Sequence, residues 1–196
     1  MLILGKWKYT LGALLGILVI VIVGYSMSYK PQTNSPIKSS QSSSSTQDRN
    51  QIVNPDAKYV GKENLAKYES IAQKNTNSPT DQVNAAVSAF VNRENDKAAE
   101  YYKKAIALQP KNAQYLTYLG NVYFRGLNNP QEAIQYYQTA TQDDPHYANG
   151  WLNLGLCQIA LGNKEGAKAT LKKGIASVDP KDPLLGTMQK ELDSIK

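Results

Sequence analysis

The residue types that carry most covalent and metal chemistry are scarce in this chain: Cys157 and His146 are its one cysteine and its one histidine. A cysteine in an accessible, electropositive setting would be a nucleophile or a redox centre. Cys157 instead stands beside Leu154 and Leu156, where a small buried thiol is the expected role. His146 follows Pro145 in a turn and has no nearby set of residues suited to acid–base work. One Cys and one His cannot supply a zinc site of four protein ligands, and a single Cys closes no disulfide within the chain. No phosphate-cradling glycine loop, nucleophile elbow or paired-histidine motif occurs either. Neither an enzyme, a metal nor a cofactor is therefore expected. The remaining charged pattern is Lys164, Lys168 and Lys172 at i, i+4 spacing with Lys173 beside it. That stripe is expected to be a solvated helix face, with a polyanion or lipid-headgroup site as the alternative.

Net charge gives no support to nucleic-acid binding. The chain has 22 basic and 16 acidic side chains, and the excess of +6 divides as +3 over residues 1–30, +2 over 31–78 and +1 over 79–196. The long C-terminal part is thus nearly neutral, without the basic footprint that a nucleic acid requires.

Between Lys8 and Lys30 no side chain is ionised at neutral pH, and Leu11 to Gly24 is built of apolar residues and glycine. As a helix, residues 9–29 would span about 30 Å, the thickness of a bilayer core. Lys6 and Lys8 precede this stretch, Lys30 and Lys38 follow it, and Trp7, Tyr9, Tyr25 and Tyr29 occupy interfacial positions. A short tail (1–8) and a transmembrane signal-anchor helix (9–29) are expected, with the rest of the chain across the membrane. A cleaved secretory peptide is the alternative, since Ser26 and Ser28 are small residues of the kind a signal peptidase inspects. Gly12 and Gly16 form a G-x-x-x-G that would let two such helices approach closely. Residues 30–58 are expected to be a disordered linker: within 31–56 there are seven Ser, four Gln, three Asn, three Pro and no aromatic residue, too little apolar surface to offset ordering entropy. From Lys62 to Lys74, Leu65, Tyr68, Ile71 and Ala72 recur at helical spacing, which predicts an N-terminal capping helix within 59–78.

Beyond that point the chain repeats itself. Ala98, Tyr102, Ala105 and Pro110 recur 35 residues later as Ala133, Tyr137, Ala140 and Pro145, and 34 residues further on come Ala167, Leu171 and Gly174. Leu116, Leu119 and Gly120 recur as Trp151, Leu154 and Gly155. Each unit reads as two antiparallel helices, with Leu116, Leu119, Gly120 and Tyr123 on one face of a first helix and Ala133, Tyr137 and Ala140 on one face of a second. Glycine inside a helix costs about 1 kcal/mol relative to alanine, so Gly120 and Gly155 predict close helix contact. The extra residue of the 35-residue spacing is expected in a lengthened turn, Arg125 to Pro130, because an insertion inside a helix shifts its register.

At these residues the chain resembles the tetratricopeptide repeat family, whose pattern is W-x2-L-G-x2-Y, then A-x3-F, then A and P. Trp151-x2-Leu154-Gly155, Leu119-Gly120-x2-Tyr123, Ala98-x3-Tyr102 and Ala133-x3-Tyr137 carry the resemblance. It implies an all-α fold: three repeats (79–112, 113–147 and 148–181) in a right-handed solenoid closed by a C-terminal capping helix (182–196). The first repeat departs from the pattern with Gln82, Ala85, Ala86 and Ala89, and the third with Gln158 for an aromatic residue and Gly174 for alanine.

The resemblance also implies a concave face, lined by first helices, that binds peptides. The matching positions here include Val87 and Phe90, then Tyr118, Asn121, Phe124 and Arg125, then Asn153 and Leu156. This groove would be apolar and amide-rich, with Arg125 its main charge; packing inside the array is the other role open to these residues. Family members that grip chaperone C-termini use Lys and Asn where this chain has Val83 and Val87, so an apolar or amphipathic protein segment is the expected partner. The leading expectation is a scaffold on a bacterial cytoplasmic membrane, with its domain extracytoplasmic, serving envelope assembly such as cytochrome c maturation, pilus, secretion or cell-wall machinery. An organelle-surface import receptor and a structural homo-oligomer are the alternatives.

Overall fold

Half of the described helices start at a residue whose side chain caps them. Ser78 Oγ accepts the backbone N–H of Asp81 at 3.3 Å, with Pro79 in the first turn. Asn112, Asn129 and Asn163 accept from the N–H groups of Tyr115, Glu132 and Gly166 at 3.1, 3.2 and 3.0 Å. Each bond satisfies one of the donors that a helix N-terminus leaves unpaired. The computed structural model describes residues 57–196. Its helices are α1 (Lys62–Lys74), α2 (Pro79–Val91), α3 (Asn95–Leu108), α4 (Ala113–Asn121), α5 (Pro130–Asp143), α6 (Ala148–Ala160), α7 (Lys164–Ser177) and α8 (Leu185–Ser194). No sheet occurs among the described residues.

The helices stack as hairpins: α2 packs on α3, α4 on α5 and α6 on α7, while α3, α5 and α7 each pack onto the helix that follows. The result is an all-α helical solenoid. Small residues set the spacing. Ala98, Ala133 and Ala167 are fully buried at equivalent points of α3, α5 and α7. A methyl group on Gly120 would lie 2.5 Å from the ring of Tyr137, and one on Gly155 would lie 2.8 Å from Leu171. Both glycines therefore yield their helix propensity to a neighbour seated directly on the backbone. Gly174, where the pattern has alanine, would bring a methyl to 2.6 Å from Trp151 Cβ. Alanine is disfavoured there because Trp151, with Met188 3.2 Å away, already fills the space of the methyl.

The extra residue of the second repeat does not lie where the sequence spacing suggested. The turns inside the three repeats, 92–94, 127–129 and 161–163, are equal in length. Instead α4 continues as a π-helical turn, Val122–Gly126, in which the Leu127 N–H donates to Val122 O at 2.9 Å. A π-turn absorbs one residue as a local bulge and leaves the helix before it in register. Each equal turn also holds one residue in the left-handed region, Arg93 (φ 65°), Asn128 (φ 51°) and Gly162 (φ 75°).

Both ends of the array are covered. Met188 of α8 is fully buried in a cluster with Trp151, Leu152 and Leu171. At the other end α1 packs on α2, and the chain is already ordered before it, as a 3-10 turn at Ala57–Tyr59. The linker expected through residue 58 is thus corrected at its C-terminal edge: Tyr59 is buried, its carbonyl accepts from Ser88 Oγ (2.8 Å) and Asn92 Nδ2 (3.0 Å), and its hydroxyl donates to Asn84 Oδ1 (2.8 Å). Among the described residues no helix is long and apolar enough to cross a membrane. The tail at 1–8, the span expected at 9–29 and the remainder of the linker lie outside the described residues.

Candidate peptide-binding face

The face in question is built by the first helix of each repeat, above all by α4 with its π-turn and by α6, which pack directly on one another. Because the π-turn shifts the residues that follow Asn121 by one position, Phe124 and Arg125 leave the helix in directions that a regular α4 would not give them. Phe124 is half-buried against Tyr137, Leu154 and Cys157, which makes it part of the packing between repeats two and three. Arg125 is exposed, and its guanidinium donates to Asn153 Oδ1 across to α6 at 3.3 Å. Asn153 Nδ2 donates in turn to the Asn149 carbonyl at 2.9 Å.

Behind this row, the hydroxyl of fully buried Tyr137 donates to Asn121 Oδ1 at 2.8 Å. Burial raises the phenol above its usual range, Cys157 adds to the rise, and the positive charge of Arg125 works against it. The phenol stays neutral, so it can hold Asn121 in place as a donor. Tyr118 stands half-buried on the N-terminal side, its ring 5.8 Å from that of Tyr102, and its hydroxyl accepts from Gln114 Nε2 at 2.6 Å. Tyr102 is fully buried and its phenol is raised well above the ordinary value, first by burial and then by the neighbouring Tyr118.

The eight residues that sequence places in a groove therefore divide. Val87, Asn121 and Asn153 are buried, which corrects the picture of them as open lining: Val87 sits in the first-repeat core, and both amides are committed to neighbours. Phe90 is half-buried against the core of repeat one and against Gly126, where an added methyl would lie 3.1 Å from its ring. Leu156 is half-buried beside the cluster of Trp151 and Leu152. The structure brings Arg125, Asn149 and Asn153 together, with Asn121 linked to Tyr137 behind them. It gives the first-repeat end a different character, because Tyr59 is already bonded to Asn84 there. Sequence reasoning missed that contact. Its one signal is Tyr59 itself, an aromatic residue at the end of a long polar stretch. No cluster of His, Cys, Asp and Glu that could hold a metal occurs among the described residues.

Comparison with known proteins agrees with this geometry. Residues 83–145 and 124–192 each match a family model described as tetratricopeptide repeat. The chain carries tetratricopeptide repeats. Over 88 residues the chain is 31% identical to the heat-shock protein cognate (HSC) co-chaperone sgt12 of Aspergillus fumigatus, which is 45% of this chain and 26% of that protein. The chain thus matches only about a quarter of that relative's length. Among solved structures the tetratricopeptide domain of Sgt2 from Aspergillus fumigatus superposes with a TM-score of 0.51 at 24% identity, over 60% of this chain and 76% of that one. MamA superposes with a TM-score of 0.57 at 20% identity, over 66% and 72% of the two chains. At these identities the likeness establishes the fold. Within the tetratricopeptide array, Tyr123 occupies the aromatic position of the pattern, half-buried and stacked on Tyr136 with ring centroids 5.4 Å apart.

Proposed function

We propose that the protein is a membrane-tethered tetratricopeptide scaffold that captures an apolar or amphipathic segment of a partner protein along α4 and α6. The observation that carries this reading is Arg125. It is exposed on the first-helix face, donates to a neutral amide, and forms no ion pair among the described residues. A guanidinium so placed can take a carboxylate or a peptide carbonyl from the partner, while Tyr118 and Leu156 on either side offer apolar surface. Binding of a segment in a groove of this kind follows the helix-in-groove or extended-peptide mode. The tether is supported by the uncharged stretch from Tyr9 to Tyr29 and by the polar residues that follow it. An anchored scaffold gains from the raised local concentration of partners at the membrane. We place it on a bacterial cytoplasmic membrane with the repeats extracytoplasmic, in envelope assembly.

A second reading, a co-chaperone, is favoured by the similarity to sgt12. Against it, Val83 and Val87 stand where chaperone-binding members carry Lys and Asn, and Val87 is buried. The test is site-specific photocrosslinking of the full-length chain in its native cells, with the probe at Leu156 and a control probe at exposed Lys190. A defined partner that crosslinks at Leu156, is absent at Lys190 and is lost with Arg125→Ala supports the scaffold reading. Crosslinks to chaperone C-termini alone would favour the second reading, and crosslinks between copies of the chain alone would favour an oligomer. Equal capture at both positions would remove the face from consideration.

A further inference from the structure

The repeats share their alanines and glycines but not their tyrosines, and the difference opens a cleft on the side of the second helices. At the junction of repeats one and two the ring of Tyr123 is stacked on that of Tyr136, with planes 9° from parallel, and Lys103 Nζ lies 5.6 Å from the Tyr123 centroid. One repeat later, the positions of Tyr123, Tyr136 and Lys103 are held by Gln158, Thr170 and Gln138. Gln158 is buried in its own helix packing, whereas Thr170 and Gln138, smaller or uncharged at the positions of Tyr136 and Lys103, stand at an open cleft. Between α5 and α7 lies a cleft of about 570 Å³ bordered by Gln138, Thr141, Gln142, Trp151, Thr170 and Lys173.

We propose that this cleft is a binding site for an aromatic side chain of a partner peptide, the incoming ring taking the place that Tyr136 fills one repeat earlier. The protein itself shows the occupant's chemistry: the equivalent space is filled by a phenol ring beside a lysine. The open copy has a frame of its own, with Trp151 and Lys173 where the preceding repeat has Leu116 and Thr139. Lys173 Nζ lies 5.3 Å from the ring of Trp151, and the indole N–H is fixed by donation to Pro145 O at 2.8 Å. Trp151 is buried beneath Lys173, whose ammonium borders the cleft and favours an incoming ring over an aliphatic side chain through a cation–π contact. Exposed Gln138 and Gln142 add amide groups for the phenol or the peptide backbone. Gln158 Oε1, on the same helix as Trp151, is buried with no hydrogen-bond partner. The site is separate from the Arg125 face, since its lining, from α5, α6 and α7, includes none of Tyr118, Arg125, Asn153 and Leu156.

The chain has two tryptophans, Trp7 and Trp151. Full-length protein carrying Trp7→Phe therefore has one indole, whose N–H resonance reports on the cleft. Titration with N-acetyl-tyrosinamide should shift that resonance saturably, and N-acetyl-leucinamide should act severalfold more weakly. Gln158→Tyr with Thr170→Tyr rebuilds the stack of the preceding repeat and should abolish the response. Thr170→Tyr alone, with unchanged circular dichroism, serves if the double variant fails to fold. Arg125→Ala should leave the response intact. The proposal is overturned by equal responses to the two amides, by no saturable shift, by a response that survives Thr170→Tyr, or by its loss in Arg125→Ala.

Discussion

Substituting alanine at Gly120 sets two opposed effects against each other, and the structure decides their balance. In an open helix the change would stabilise by about 1 kcal/mol through helix propensity. Here the new methyl would lie 2.5, 2.8 and 3.0 Å from three ring atoms of Tyr137, against the usual 3.5–4.0 Å of carbon–carbon contact. The ring cannot move aside cheaply, because Tyr137 is fully buried and its hydroxyl is tied to Asn121. Overpacking of this kind costs about 1–3 kcal/mol, and breaking the buried hydrogen bond to relieve it costs a similar amount. Gly120→Ala is therefore expected to destabilise by about 1–3 kcal/mol after the propensity gain, a fall in Tm of about 2–4 °C per kcal/mol for a chain of this size. Gly186 is the internal control: it lies in α8 with nothing within 4 Å of an added methyl, so Gly186→Ala should be neutral or stabilise by up to about 1 kcal/mol. Urea and thermal unfolding, followed by circular dichroism, measure both. If Gly120→Ala were as stable as the parent, the close approach of α4 and α5 would be refuted.

Tyr137→Phe keeps the ring but leaves Asn121 Oδ1 without its donor, and should cost about 1–3 kcal/mol by urea unfolding; a loss below experimental error would mean that Asn121 is solvated. Burial pushes the Cys157 thiol up to about 11, so in the native protein a thiol reagent at pH 8 should label it only as fast as the helices open, and labelling at the rate of a free thiol would refute its burial. Because that value exceeds the unfolded value of about 8.5, the stability it contributes is complete below about pH 8.5 and is lost as pH rises toward 11. The difference in urea midpoint between the parent and Cys157→Ala should shrink over that window. Tyr59→Ala removes the hydroxyl bond to Asn84 and a buried ring; hydrogen exchange should then show lost protection at Val60 and Gly61, with α6 and α7 unchanged.

Some of this architecture is legible in the sequence because it depends on volume at fixed offsets. Ala98, Ala133 and Ala167 repeat since a larger side chain would push the hairpins apart, and Gly120 and Gly155 repeat since a ring or a leucine rests on each. The π-turn is not legible in that way. A spacing of 35 residues reports that one residue is added, and both a longer turn and a bulged helix satisfy it; the choice is made by hydrogen bonding around Val122 and Leu127. The face along α4 and α6 is legible in phase but not in use. Asn121 and Asn153 have the polarity and position of ligand-binding amides, yet Asn121 is bonded to Tyr137 and Asn153 to Arg125, and those pairings depend on how helices meet in space. Tyr59 is hidden from sequence reading for the same reason, since its partners Asn84, Ser88 and Asn92 are distant along the chain.

The residues that hold the repeats alike and the residues that make them differ have separate consequences. In a stacked array each repeat rests mainly on its neighbours, so the small residues and the caps set the approach of the helices wherever the motif recurs. Those positions make the fold recognisable and, by the same token, say nothing about what this array binds. The departures lie elsewhere: a π-turn in one first helix that turns Arg125 outward, Gln158 and Thr170 in place of a tyrosine pair, and Tyr59 covering the flank of the first repeat. None of them changes the helical course, and each changes which groups meet solvent. Function in such a chain is a property of its breaks with the pattern, which is why the second and third repeats, where two of these breaks fall, hold both surfaces proposed for partners.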